Sequence, residues 1–357
     1  MTGQRFPLIE VSGDAYSMGR AHGEQAQTLV HSYLMWIDRM TGMARDVLCK
    51  NAMQFVPMME AASPAFVDEI RGLADGAGIA FEEAVLCQAR AEASHTKEGG
   101  CSAFALTGAA TASGAWSSAY LEELGASGNT LAGQNQDLEP EYADVAILLR
   151  VQPNDGRPAA LMFTFAGQLG YAGMNAHGVT HFANALYDCP WRPGLPHYPL
   201  KRLMLEQRTV DECIGLLQRY RTCSAANVVV ADGGGHIGDI EVRPEGIALF
   251  EDTHPDMRLH TNHYLTSEYA AYETHSLPDS CPRLDRLRHL IQEAWGDITV
   301  DVLKTFLADH EGDPGGICRH GDVRMHSISG YIAEPELRLF HVRRGHGCLG
   351  SWETYEV

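Results

Sequence analysis

The sequence predicts an α+β layered architecture, in which sheets are covered by helices. Two observations carry this: roughly the first hundred residues show helical spacing, and strand-like runs dominate after Glu98-Gly99-Gly100. A third is that four helical runs interrupt the strand-rich part rather than following it.

Each element has a local cause. From about Ala26, the positions Ala26, Leu29, Val30, Tyr33, Leu34, Ile37 and Met40 recur every three or four residues, and the Met and Leu stripe over 29–43 reads as core. A second helix starts at Ser63-Pro64, a capping hydroxyl followed by a residue suited to the first helical turn; Gly76 and Gly78 mark its end. A third runs over 82–92. Strands follow at 101–106, 145–151, 160–166, 179–185, 227–231, 237–242, 325–333 and 337–342, several separated by Gly-rich turns. Helical runs at 200–207, 211–221, 283–293 and 300–310 lie among them. With no fixed-period repeat and no long linker, one domain over 1–357 is expected.

Composition narrows the function. Of 357 residues, 45% are hydrophobic and 20% charged, which suits a chain that buries a sizeable core. The formal charge of −19 argues against nucleic acid or an anionic membrane surface as a partner, since phosphate attracts Lys and Arg. There is no apolar run of membrane-span or signal-peptide length. Nine dispersed cysteines without CxxC pairs then read as reduced thiols, most of them small buried hydrophobes, and a cytoplasmic location is expected.

One junction permits specific chemistry. Gly100-Cys101 follows Gly99 where helix gives way to strand, and glycine leaves its carbonyl open to the next side chain. Attack of the Cys101 sulfur on the Gly100 carbonyl would give a thioester by N→S shift. Water would then release Gly100 and free the Cys101 α-amine. Such an amine has a pKa of about 7.7–8, so it can serve as general base for its own thiol with no His partner. Taken alone, Gly-Gly-Cys also fits a plain turn entering a strand.

Motifs along the chain add to it. Gly19-Arg20-Ala21-His22-Gly23, the helix Asp68 to Ala77, Gly100-Cys101, Gly133-Gln134-Asn135-Gln136-Asp137, Gly173 to Val179, His260-Thr261-Asn262-His263 and Ile317-Cys318-Arg319 occur in this order. In this set the chain resembles the acyl-coenzyme A:6-aminopenicillanic acid acyltransferase (isopenicillin-N N-acyltransferase) family of N-terminal nucleophile hydrolases. The resemblance runs from about residue 16 to 340.

The resemblance implies a four-layer αββα sandwich and a zymogen that cuts itself into 1–100 and 101–357. The two pieces would stay associated. It implies cleavage or transfer of an N-acyl group of a small amide through a Cys101 thioester, with an acyl-CoA or an amine as a further partner class and no cofactor. Members of the family differ in substrate. By position, Cys101 would be nucleophile, Asn262 the oxyanion donor, and Asp137 with Arg319 a charged pair near the thiol that could hold it in register. Two residues depart from the family pattern: Gln136 stands where the family carries Trp, and Ala103 where its best-known fungal member has Thr. The missing Trp bears on the acyl pocket, so a β-lactam substrate is not implied. His22 and His260 read as satisfied core residues, Asn175 and Asn184 as turn and strand residues. A homo-oligomer is compatible with the sequence.

Two other readings exist. A metal-dependent hydrolase could draw ligands from His341, His346 and Cys348, but there is no HExxH or paired-cysteine pattern, and scattered surface histidines explain the count more simply. A binding protein could keep the fold without turnover; the joint presence of Cys101, Asp137, Asn262 and Arg319 speaks against it.

Overall fold

The computed structural model describes residues 5–96, 99–112, 128–187, 189–273 and 276–357; Glu98 of the expected breaker lies outside them. The strands are β1 (Leu8–Gly13), β2 (Gly100–Leu106), β3 (Leu131–Leu138), β4 (Ala146–Pro153), β5 (Ala160–Phe165), β6 (Ala172–Asn175), β7 (Thr180–Ala185), β8 (Ala226–Ala231), β9 (Ile237–Arg243), β10 (Gly246–Leu249), β11 (Met257–His260), β12 (His326–Glu334), β13 (Leu339–Arg344) and β14 (Trp352–Glu356). They form two sheets: β1-β4-β5-β6-β7-β8-β9-β10 and β11-β2-β3-β12-β13-β14. Every pairing between these strands is antiparallel except β1 with β4.

The sheets pack face to face. Tyr331 of β12 lies 5.2 Å from the Phe163 ring of β5 and stacks on Phe182 of β7 at 6.0 Å, so rings from both sheets fill the space between. The alternation along β2 sorts its side chains. Ala103 and Ala105 join the core shared with the first sheet, while Phe104 and Leu106 join a second core with Leu287 and Ile291 of helix Ser280–Glu293 and Leu303 of helix Val300–Phe306. Helices Ala15–Thr41 and Pro64–Ala77 cover the other sheet. The layers are therefore α, β, β, α, as the resemblance implied.

Those two helices explain two of the motifs. A Cβ on Gly19 would lie 1.8 Å from the Glu69 carbonyl oxygen, and one on Gly72 would lie 2.0 Å from that of Tyr16. The glycines thus let the backbones touch, and Gly19…Gly23 and Gly72…Gly76 are packing motifs. His22 between them is buried, accepts the Gly167 N–H at 3.1 Å, and is pushed down to about 4 by burial, with Arg202 adding to the shift. It is the satisfied core histidine expected.

Some elements differ from expectation. The first helix begins at Ala15, capped by Asp14, rather than at Ala26, and Met35 of its stripe faces solvent. Helices Arg45–Met53 and Val56–Ala62 were not foreseen, nor were β1, β3, β6, β10, β11 and β14. The third expected helix is two short ones, Phe81–Gln88 and Arg90–Ser94. β3 escaped because Gln134, Asn135, Gln136 and Asp137 are all buried polar residues, which erases the apolar-polar alternation.

Candidate active site

Cys101 sits near the start of β2, opposite Gln136 of β3, and Gly100 sits opposite Asp137. Its residue is 4% exposed and borders a cavity of about 90 Å³ lined by Phe165, Tyr171, Asn184, Tyr198 and Lys201 among others. Burial pushes the thiol up to about 12; the Asp137 carboxylate adds to this, and a hydrogen bond from the Asp137 backbone opposes it. At neutral pH the sulfur is a thiol and needs a base before it can attack.

The backbone around the thiol is held on several sides. The Cys101 N–H donates to Asn262 Oδ1 at 2.9 Å. Arg283 Nη1 donates to the Cys101 carbonyl at 2.5 Å and to Ser102 Oγ at 3.0 Å, while its Nη2 reaches Asn262 Oδ1 at 2.8 Å. Just upstream, the Tyr187 hydroxyl donates to the Gly99 carbonyl at 2.7 Å. Asn262 is brought here by β11, which pairs with β2, and its own N–H donates to Ser280 Oγ at 2.7 Å. Since Arg283 can only donate, it fixes which end of the Asn262 amide is oxygen. The amide nitrogen donates to the Ala185 carbonyl at 3.0 Å, and among the described residues no acceptor takes its second hydrogen.

Asp137 and Arg319 lie on the other side of Gly100. Asp137 Oδ1 accepts from Ser327 Oγ at 2.6 Å; Oδ2 has no hydrogen-bond partner among the described residues and is 3.9 Å from Arg319 Nη1. Arg319 Nη2 pairs instead with Asp279 at 2.6 Å, and Asp279 also meets Arg283 at 3.3 Å. A Cβ on Gly100 would fall 2.7 Å from Arg319 Nη1 and 3.3 Å from Asp137 Oδ2, so any larger residue here would have to displace the Arg319 guanidinium. Burial raises the Asp137 carboxyl to about 6 against the pull of Arg283 and Arg319.

Cys101, Asn262, Asp137, Arg319 and Gly100 thus come together in one place. Asp279, Arg283 and Lys201 join them and were not singled out from sequence. The first two carry a faint signal, an Asp and an Arg four apart at a helix start. Lys201 carries none, because a helical lysine reads as solvated. Here burial pulls its ammonium down to about 8, and it lies 3.8 Å from the centre of the Tyr171 ring.

The remaining motif residues have structural duties. His260 is buried against Glu241 at 3.1 Å. Asn175 closes a turn, accepting from His177 and Val179 and donating to the Leu205 and Gln207 carbonyls. Asn184 bonds Asn227 at 2.7 Å but also reaches the cavity wall. Gln136 donates to the Tyr171 hydroxyl at 2.6 Å and accepts from Tyr331 at 2.7 Å, so the position expected to shape the acyl pocket makes polar contacts with two of its neighbouring rings. The histidines weighed as metal ligands do not converge: His341 is held by Glu334 and Thr354, whereas the His346 ring lies beside His320 and His326. No helix among the described residues is long and apolar enough to cross a membrane.

Sequence comparison agrees with that resemblance. The chain is 28% identical over 266 residues to the 40 kDa form of acyl-coenzyme A:6-aminopenicillanic-acid-acyltransferase from Emericella nidulans, covering 73% of this chain and 69% of the relative. Among solved structures, a mutant of conjugated bile acid hydrolase from Clostridium perfringens aligns at a TM-score of 0.48 and 12% identity, covering 71% of this chain and 97% of that one. Penicillin V acylase from Agrobacterium tumefaciens aligns at 0.45 and 9%, covering 68% and 83%. The profile of the family described as acyl-coenzyme A:6-aminopenicillanic acid acyl-transferase matches residues 124–334, more than half the chain. The chain belongs to that enzyme family.

Proposed function

We propose that the protein is an N-terminal cysteine amidohydrolase or acyltransferase that activates itself by cutting between Gly100 and Cys101. The observation that carries this reading is the convergence on one peptide unit. Asn262 and Arg283 hold Cys101 from one side, and on the other an Asp137 carboxylate oxygen with no hydrogen-bond partner among the described residues stands beside Gly100.

In self-cleavage Asp137 accepts the thiol proton and the sulfur adds to the Gly100 carbonyl carbon. The C–N bond then breaks, the Cys101 nitrogen leaves with that proton, and a thioester remains. Water hydrolyses it to a Gly100 carboxylate, a free thiol and a free α-amine. Residues 1–100 and 101–357 stay together, since β2 begins at the cut and is paired on both sides with strands of the second piece, while the helices of the first piece share its core.

In turnover the new amine, held by Asn262 Oδ1, takes the thiol proton, and the sulfur attacks the substrate amide. The second Asn262 Nδ2 hydrogen stabilises the oxyanion. The amine product departs with the proton, and water or a second amine resolves the acyl-thioester. Water is the default acceptor by abundance. The substrate is a small N-acyl amide. Tyr171 and Tyr198 suit an apolar acyl chain, and Lys201 favours a polar or anionic group at its end.

The test is intact mass followed by a screen of N-acyl amides that includes β-alanyl amines and penicillins. Scaling 39.1 kDa by 100 and 257 of 357 residues gives fragments of about 11 and 28 kDa. A protein that stays whole yet hydrolyses amides contradicts the proposal.

A further inference from the structure

We propose that His310, Cys318, His320 and Cys348 hold a structural zinc ion behind the active-site arginine. The ligand atoms of these four residues all lie within 4.8 Å of one another. Two imidazole and two thiolate donors are the set zinc prefers at closed, four-coordinate sites, where no position is open for substrate. Bonds of about 2.0–2.1 Å to nitrogen and about 2.3 Å to sulfur put neighbouring donors about 3.3–3.8 Å apart in a tetrahedron. Cys348 Sγ stands 3.4 Å from His320 Nε2, already at that spacing. The Nε2 atoms of His310 and His320 face each other at 2.8 Å, so at least one must be bare of hydrogen. Inserting the ion asks that pair to open by roughly half an ångström and the widest pair to close by about one.

Three of the residues come from one loop, over 310–320, and Cys348 from the turn after β13, and the fold delivers both to the spot. Asn135 of β3 donates to the Leu307 and Ile317 carbonyls at 2.8 and 2.9 Å, pinning both ends of the loop that carries His310 and Cys318. The Cys318 N–H donates to the Asp309 carbonyl at 2.9 Å, and Asp309 is fixed by Arg286 at 2.6 Å. Gly347 lets the turn after β13 close on the same loop: a Cβ there would sit 2.1 Å from the Leu307 carbonyl oxygen. That contact places Cys348.

The position explains what the ion does. Arg319 lies between ligands Cys318 and His320, and its guanidinium meets Asp279 and Asp137 on the active-site side. An ion gripping both neighbours fixes the backbone from which Arg319 reaches. The site is independent of whether Cys101 cuts the chain, and it takes only Cys348 from the set that the sequence suggested.

The test uses the full-length protein, purified reduced, with zinc measured by mass spectrometry of the metals. The expected result is about one zinc per chain in the wild type, and a loss of most of it in the double variant His310→Ala with Cys348→Ser, folded by circular dichroism. Cobalt(II) loading of the stripped wild type reads the same site without a variant: tetrahedral thiolate bands are expected. A weak octahedral cobalt spectrum, a Cys318–Cys348 disulfide by mass in the reduced preparation, or zinc retention equal in wild type and variant each overturns the proposal.

Discussion

Two sulfur-bearing clusters flank Arg319, and they are built on opposite principles. The Cys101 thiol is buried, a carboxylate presses its pKa upward, and its backbone is gripped by an amide oxygen and a guanidinium. Around Cys318 and Cys348 there are two histidines whose ring nitrogens meet each other and the Cys348 sulfur, and part of the cluster is exposed. A nucleophile that makes its own base needs neighbours that orient it, whereas a metal site needs several lone pairs aimed at one point. The type of residue does not separate the two; the company does.

That contrast can be broken most sharply at Cys101. Replacing it with alanine removes the nucleophile that makes both the cut and the acyl-enzyme, so we expect one uncut band and activity lower by at least about 10³-fold; detectable fragments would assign the cut to another group. Asn262→Ala removes both the grip on the amine and an oxyanion donor. Turnover should fall by about 10²–10³-fold in kcat, read on material in which processing has been checked separately.

Arg283 tests whether the grip is structural. Arg283→Met takes a buried donor from the Cys101 carbonyl and from the Asn262 oxygen, which keeps only the Cys101 N–H, and unfolding in urea should show a loss of about 1–3 kcal/mol. A loss below about 1 kcal/mol would mean the network relaxes around the gap.

The smallest expected effect is on pH. The Asp137 carboxyl titrates near 6 in the fold, raised to about 6 by burial, so it is neutral below that pH and ionised above it. Self-cleavage should rise with pH through about 6 and then level off, and Asp137→Asn should cut slowly with that limb gone. Stability runs the other way. An acid whose pKa is raised on folding contributes most below its unfolded value of about 3.9, and the contribution is lost as pH climbs to about 6.

How much of this could be seen in the sequence depends on whether a residue's partners are local. The helix Pro64–Ala77 announces itself by its cap, its stripe and its closing glycines. Strands β4, β5, β7, β8 and β9 do so by apolar runs. β3 does not, because its polar residues are satisfied by layers far away in the chain: Gln134 by β7, Asn135 by the 307–317 loop, Asp137 by Ser327. Cys101, Asp137, Asn262 and Arg319 were found through ordered motifs that match a family, and spacing alone would not have joined them. Arg283 and Lys201 sit in ordinary helical contexts, and only burial separates them from solvated neighbours. The metal cluster is the clearest case: His310, Cys318 and His320 are close in sequence, but Cys348 reaches them by the return of β13, so no compact spacing exists to read.

The most direct measurement is N-terminal sequencing of the larger piece in active, purified protein. The expected sequence is Cys-Ser-Ala-Phe, starting at Cys101, with a smaller piece ending at Gly100 in the intact mass. Fully active protein whose sole N-terminus is that of the uncut chain would contradict it.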